Sequence, residues 1–321
     1  DDSLFNSDRE NLRLYYVNRF MPSVMPRVDS DVMVVTMPEL GKHHVKRPKS
    51  CCDLVYVFHS LNSIHEVYQD GAFDNYDHFF CTGPHHRREF EMHFHRLGRK
   101  CPQLYDVGYY KLDRVHQAYE KHRRTNKSTK ILIAPSWGDG NLLEEHGVSI
   151  IQQLLAMGLD VVVRPHPCFF LPIYPRGIDC VNQIESKFKS EPNFTLEKSI
   201  VSELSFYESD LMISDFSGAA FEYALGTGRP VLFVDVARKT KNENWRDLGL
   251  DTFEDKMRYQ VGEVVEATEI ERIGEVAERL LSSRVAFVQQ ISDLRKTAVY
   301  NFNASAQAGA IVIDDLLANR S

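Results

Sequence analysis

From residue 130 onward, short apolar runs alternate with stretches of helical period. Lys130-Ile-Leu-Ile-Ala134, Leu159-Asp-Val-Val-Val163, Leu211-Met-Ile-Ser214 and Val231-Leu-Phe-Val234 read as buried strands. Residues 147–157, 202–209 and 219–225 read as the helices between them. A strand that is apolar on both faces needs cover on both, and a parallel neighbour needs a crossover. Helices supply both, so the rhythm predicts a parallel sheet with right-handed connections.

The first third carries the same signature in Val32-Met-Val-Val-Thr36, Leu54-Val-Tyr-Val-Phe58 and His78-Phe-Phe-Cys-Thr82, with a helix over residues 89–98. The polar, basic stretch 120–130 holds no strong apolar residue and separates the two patterns. Helical segments at 270–283, 286–297 and 304–318 close the chain. The fold class expected is α/β, with two Rossmann-like lobes bearing parallel sheets and a cleft between them. The lobes are expected at 1–125 and 126–300, with a C-terminal helix at 301–321 packing back on the first lobe.

Composition narrows the function. A formal net charge of -7 argues against a nucleic-acid partner, which wants a basic face. None of the six cysteines sits in a C-x-x-C pair, so a reducing, cytoplasmic setting is expected. No run is long and apolar enough for a membrane helix, and no signal peptide is written. The start at Asp1-Asp2-Ser3, without Met, suggests an excised or processed piece.

In open parallel sheets, ligands bind beyond the carboxyl ends of the strands. Three second-lobe turns lie there. Ser214-Asp215-Phe216-Ser217-Gly218 runs from a strand straight into a helix containing Glu222. The helix N-terminus, the Ser214 and Ser217 hydroxyls and the small Gly218 suit a phosphate, although capping by Asp215 or Ser217 also explains the turn. In Arg164-Pro165-His166-Pro167, two prolines stiffen the mount of His166, and Arg164 offers a guanidinium fork. Ser136, Trp137 and Gly138 follow the strand ending at Ala134. In the first lobe, His59 follows a strand and is a candidate general base, with His65 as the alternative. The charged run His85-His86-Arg87-Arg88 reads as a helix start with a solvated face. No metal and no cofactor are expected.

Together these residues resemble the CDP-glycerol glycerophosphotransferase family, the teichoic-acid and capsule polyol-phosphate transferases of GT-B fold. The resemblance rests on Ala134-Pro-Ser-Trp137, Arg164-Pro-His-Pro167, Ile213-Ser-Asp-Phe-Ser217, Phe221-Glu-Tyr-Ala224 and Arg229-Pro-Val-Leu-Phe233. Phe58-His59-Ser60, Tyr76–Gly83 and Gly108–Asp113 extend it into the first lobe. It implies transfer of glycerol phosphate, or a related polyol phosphate, from a CDP-linked donor to a hydroxyl of a glycan or lipid-linked acceptor. The first lobe would face the acceptor and the second would hold the donor. His59 would be the base; His166, Ser214 and Ser217 would hold the diphosphate. Lys42, Lys46, Arg47 and Lys49 would then offer peripheral contact with an anionic inner membrane face, although a solvated loop explains them as well. Alternatives on the same fold are a glycosyltransferase using a UDP- or CMP-sugar, an epimerase, and a nucleotide-binding regulatory module.

Overall fold

The computed structural model describes residues 11–50, 52–122, 128–199, 203–238 and 240–320. Its strands are β1 (Val32–Val35), β2 (Asp53–Val57), β3 (His78–Cys81), β4 (Gln103–Asp106), β5 (Lys130–Ile133), β6 (Asp160–Val163), β7 (Phe194–Leu196), β8 (Leu211–Ser214), β9 (Val231–Asp235) and β10 (Gly262–Glu266). The α-helices are α1 (Met21–Val24), α2 (Ile64–Val67), α3 (Pro84–Arg96), α4 (Tyr110–Lys121), α5 (Leu142–Ala156), α6 (Pro175–Phe188), α7 (Leu204–Glu208), α8 (Gly218–Thr227), α9 (Phe253–Val261), α10 (Ile273–Ala298) and α11 (Ser305–Ala318). The expected boundary between 125 and 126, the middle of the polar linker, and Cys51 lie outside the described residues.

Two parallel sheets result. β1 to β4 lie side by side in chain order, and the second sheet runs β10-β9-β8-β5-β6-β7. Its chain path goes outward from β5 through β6 to β7, then returns to place β8 on the other side of β5. Loops leaving β5 and β8 therefore diverge, and a crevice opens between them at this switch point. The central strands are fully apolar, as burial on two faces demands: Ile131, Leu132, Ile133, Leu211, Met212 and Ile213 are all 0% exposed.

Three of the expected helices differ from expectation: α3 begins at Pro84 rather than at 89, and α5 and α10 have other bounds. α5 begins at Leu142 rather than at 147, because Asn141 caps it, accepting from Leu143 N at 2.9 Å and Glu144 N at 3.2 Å. α10 is one continuous helix over Ile273–Ala298 where two segments were expected. Ser282 and Ser283 do not break it; their hydroxyls bond back to the carbonyls of Glu278 and Arg279 at 2.8 and 2.9 Å.

After α10 the chain returns to the first sheet. Tyr300 N donates to Thr82 O at 2.9 Å. Gly108 makes room for this crossing: its φ is +98°, and a Cβ there would fall 2.2 Å from Tyr300 O. Asp113 of α4 then accepts from Asn303 N (2.8 Å) and Ser305 N (3.0 Å), which fixes the start of α11. α11 covers one face of the first sheet through Leu316, Val312 and Ile313 against Val55, Phe80 and Val107.

The two sheets share a core. Leu61, Tyr109, Leu112 and Val115, all from the first part of the chain, are buried with Phe221, Ala224 and Leu225 of α8 and Phe253 of α9. Leu61 alone, at 0% exposure, contributes roughly 2 kcal/mol of apolar burial to the contact between the sheets.

Candidate functional site

The switch-point crevice faces the carboxyl end of β2 across a cavity of about 460 Å³. Its walls bring together His59 from the first lobe with Ser136, Trp137, Arg164, His166, Ser217, Gly218 and Glu222 from the second. Three expected donor residues stand outside the lining: Gly138, Ser214 and Asp215. Gly138 carries its carbonyl to the Asn141 side chain (2.8 Å) and belongs to the approach to α5.

Ser214 and Asp215 turn inward. Ser214 ends a central strand at 0% exposure, and its hydroxyl donates to Ala134 O at 2.7 Å. Asp215, also 0% exposed, accepts from Ser136 N at 2.7 Å and Leu142 N at 3.2 Å. Both residues therefore lock the β8 turn to the β5–α5 loop, which carries Ser136 and Trp137. Their polar atoms are consumed by backbone that no strand or helix satisfies.

Ser217 caps α8, its Oγ accepting from Ala219 N at 3.3 Å, so its own hydroxyl proton remains a donor. Gly218 has a second reason to lack a side chain. A Cβ there would lie 2.7 Å from Asn62 Oδ1, so the first-lobe loop approaches the helix N-terminus where an open phosphate cradle was expected.

Arg164 leaves β6 with its guanidinium 5.1 Å above the Phe206 ring. Its Nη1 is buried and has no hydrogen-bond partner. A buried guanidinium nitrogen left in this way is costly unless an anion completes it. His166 accepts from Cys168 N through Nδ1 at 3.2 Å, which assigns the proton of the neutral ring to Nε2. The ring stacks on Trp137 with centroids 5.9 Å apart and planes at 22°. Trp137 itself is 42% exposed at the mouth.

On the opposite wall, His59 Nδ1 lies 3.3 Å from Thr36 Oγ1. In the tautomer in which Nδ1–H donates to Thr36, Nε2 keeps its lone pair. The surrounding protein holds the His59 pKa below its ordinary value, first by removing hydration and then by repulsion from Lys111 and Lys241; Thr36 and Glu222 partly offset this. The ring is therefore neutral at neutral pH, as a base must be. Tyr109 spans the lobes beneath it, its Oη 2.7 Å from both His59 O and Glu222 Oε1. Glu222 Oε2 also meets the Lys111 ammonium at 2.7 Å.

Sequence reasoning missed Lys111, Lys241 and Glu203 as lining residues. Lys111 lies within the Gly108–Asp113 motif, which marks the place but not the role. Lys241 follows β9 in a polar stretch without pattern, and it reaches the cavity because Lys241 N and Asn242 N both donate to Glu66 O at 3.1 Å. Three cationic side chains, Lys111, Arg164 and Lys241, thus line the cavity against two carboxylates, Glu203 and Glu222. A larger groove of about 590 Å³ between α5 and α6 shares none of these residues and carries Glu144, Glu145 and Asp179 against Arg176, a poor setting for a phosphate.

His65, the alternative base, is absent from the cavity lining; it is buried against Glu89 at 3.1 Å. His86 is fully buried rather than on a solvated face, and His85 stacks on Phe253. Among the described residues, no group of three or more His, Cys, Asp or Glu side chains is arranged to hold a metal, and no helix is long and apolar enough to cross a membrane.

No protein-family model matches the chain, and no curated protein matches it. Solved structures do. The chain is similar to the wall teichoic acid polymerase TagF at 16% identity, over 85% of this chain and 71% of that one, with a TM-score of 0.51. It is similar to a UDP-GlcNAc 2-epimerase from Methanocaldococcus jannaschii, in complex with UDP-GlcNAc and UDP, at 14% identity, 91% and 78% coverage and a TM-score of 0.57. A UDP-forming alpha,alpha-trehalose-phosphate synthase from Burkholderia vietnamiensis aligns at 12% identity, 84% and 68% coverage and a TM-score of 0.50. With its two parallel-sheet lobes of four and six strands, the chain has a GT-B-like fold.

Proposed function

We propose that the protein is a transferase that takes a polyol phosphate, glycerol phosphate first, from a CDP-linked donor and passes it to a hydroxyl of a glycan or lipid-linked acceptor in cell-surface polymer synthesis. The observation that carries the reading is the unpartnered, buried Arg164 Nη1 in a cavity whose other wall presents a neutral His59. A diphosphate would complete the guanidinium, with the His166 Nε2–H, the Ser217 hydroxyl and the Lys241 ammonium as further donors. Trp137, exposed beside His166, offers a face for the base. The choice of polyol over sugar rests on the motif resemblance, and the similarity in fold to the wall teichoic acid polymerase TagF is consistent with it.

In this reading the acceptor oxygen attacks the phosphorus that bears the glycerol. The bond from that phosphorus to the bridging oxygen breaks, and CMP leaves with the electron pair. His59 Nε2 takes the hydroxyl proton. Charge grows on the bridging oxygen as it departs, and Arg164 and His166 stand on that side of the cavity. Holding base, acceptor and donor in one cavity supplies the orientation that the reaction lacks in water.

Arg164→Ala is expected to weaken CDP-glycerol binding by about 10–100-fold, the value of one or two charge-assisted hydrogen bonds. Titration calorimetry measures it; unchanged affinity would remove the guanidinium from the donor site. The two carboxylates in the cavity favour one second reading, acid–base chemistry on a UDP-sugar, and a UDP-GlcNAc 2-epimerase is among the structures of similar fold. Against it, Glu222 is already engaged by Tyr109 and Lys111, and Glu203 accepts from the Tyr207 hydroxyl at 2.9 Å.

A further inference from the structure

The loop that carries His59 has no regular structure, yet side chains hold its backbone almost atom by atom. Tyr109 Oη stands 2.7 Å from His59 O, sharing its one proton between that carbonyl and Glu222, while His85 Nε2 meets Leu61 O at 2.8 Å and His86 Nε2 meets Asn62 O at 2.9 Å. Glu89 Oε2 accepts from Ile64 N at 2.6 Å. The remaining anchor comes from the second lobe and is reciprocal. Ser63 N donates to both oxygens of Glu254, at 3.2 and 3.1 Å, and Ser63 Oγ accepts from Phe253 N at 2.6 Å. Phe253 N is the first amide of α9, one that has no partner within the helix. Ser63 and Glu254 thus complete, across two lobes, the exchange that a capping box makes within one helix. Both are buried, at 0% and 3% exposure, so neither bond competes with water.

We infer that Glu254, latched to Ser63, is a positioning residue that ties the His59 loop to the second lobe and so fixes the base opposite the cationic wall of the cavity. The inference rests on the reading of His59 as the base. Leu61, buried in the shared core, and Asn62 Oδ1, seated against Gly218, flank the latch, so the segment has little freedom while Glu254 accepts from Ser63.

Glu254 is also poised to titrate. Burial, chiefly, pushes its pKa up to about 7; its backbone hydrogen bonds oppose the shift and Glu89 and Glu66 add to it. The other groups facing it are His65 and Tyr68 from the α2 segment and Arg238 beyond β9, with His85 stacked on the neighbouring Phe253. Since the carboxylate is the form that accepts at both oxygens, the latch is complete above neutral pH and weakens as pH falls through about 7.

Glu254→Gln and Ser63→Ala test this with a readout independent of turnover. The His59 ring is titrated by NMR in each variant. In the folded wild type the surrounding protein holds its pKa below the ordinary value near 6.5; in Glu254→Gln, which loses a carboxylate oxygen, it is expected to return toward that value, and to a lesser extent in Ser63→Ala, which loses only the bond from Phe253 N. Turnover of CDP-glycerol should fall on the order of 10²-fold, with CDP affinity by calorimetry unchanged, as displacement of one group by about 1 Å produces. An acid limb near pH 7 should be absent in Glu254→Gln, a change that a merely structural role would not produce. An unshifted His59 titration in folded Glu254→Gln protein overturns the latch. A shifted titration with unaltered turnover overturns its positioning role. If the wild type turns over no CDP-linked donor, the proposed function fails while the His59 titration still decides the latch.

Discussion

Replacing His59 with alanine is expected to lower turnover of CDP-glycerol by about 10²–10⁴-fold, the span that a positioned general base contributes. Donor affinity should be nearly intact, because the groups assigned to the diphosphate all lie on the other wall. The pH dependence follows from the lowered pKa. Desolvation and the neighbouring lysines keep the ring neutral at pH 7, so the base is fully available there. The loss due to His59 itself should appear only when pH drops below the ordinary histidine range, of about 6.5, and protonates Nε2, beneath the Glu254 limb near pH 7. A steady-state pH profile of kcat beside calorimetry with CDP checks both halves. An alanine variant that loses donor binding and turnover in parallel would move His59 from the base to the donor site.

Asp215→Ala should act on stability before it acts on ligand. The substitution strands two buried amides, Ser136 N and Leu142 N, each costing about 1–3 kcal/mol. A loss of about 2–5 kcal/mol in chemical denaturation is expected, large against the margin of an ordinary domain. Donor binding should suffer as a consequence, since the freed β5–α5 loop bears Ser136 and Trp137. Full stability with a selective loss of donor affinity would return Asp215 to the role its place in the motif suggested.

The contrast between His59 and Asp215 shows what the sequence can convey. A polar residue at the carboxyl end of an apolar strand is legible, because topology puts every such end on one side of the sheet. His59, Arg164, His166 and Ser217 were found that way, and the structure brings them into one cavity. Which way each side chain then points is set by the unpaired backbone nearby, and this sent Ser214 and Asp215 inward. Lys111, Lys241 and Tyr109 were not legible as site residues because they arrive from distant segments through contacts between lobes. The same distinction holds for the fold. β5 and β8 announce themselves by unbroken apolar runs, whereas β4 (Gln103–Asp106) and β10 (Gly262–Glu266) carry charged or polar ends and half-exposed faces and were passed over. The helical period predicts a start at Gly147, yet that residue lies inside α5, where a Cβ would fall 2.9 Å from Leu143 Cδ1.

If the cavity between the lobes holds a CDP-linked polyol through Arg164 and its neighbours, as we propose, that donor should stabilise the protein. The direct measurement is thermal stabilisation, with release of CMP or nucleoside diphosphate, across CDP-glycerol, CDP-ribitol and a panel of UDP- and CMP-sugars. The wild type should be stabilised by CDP-glycerol and release CMP from it, and Arg164→Ala should lose the stabilisation. Stabilisation by UDP-sugars alone, equal in wild type and Arg164→Ala, would contradict the account.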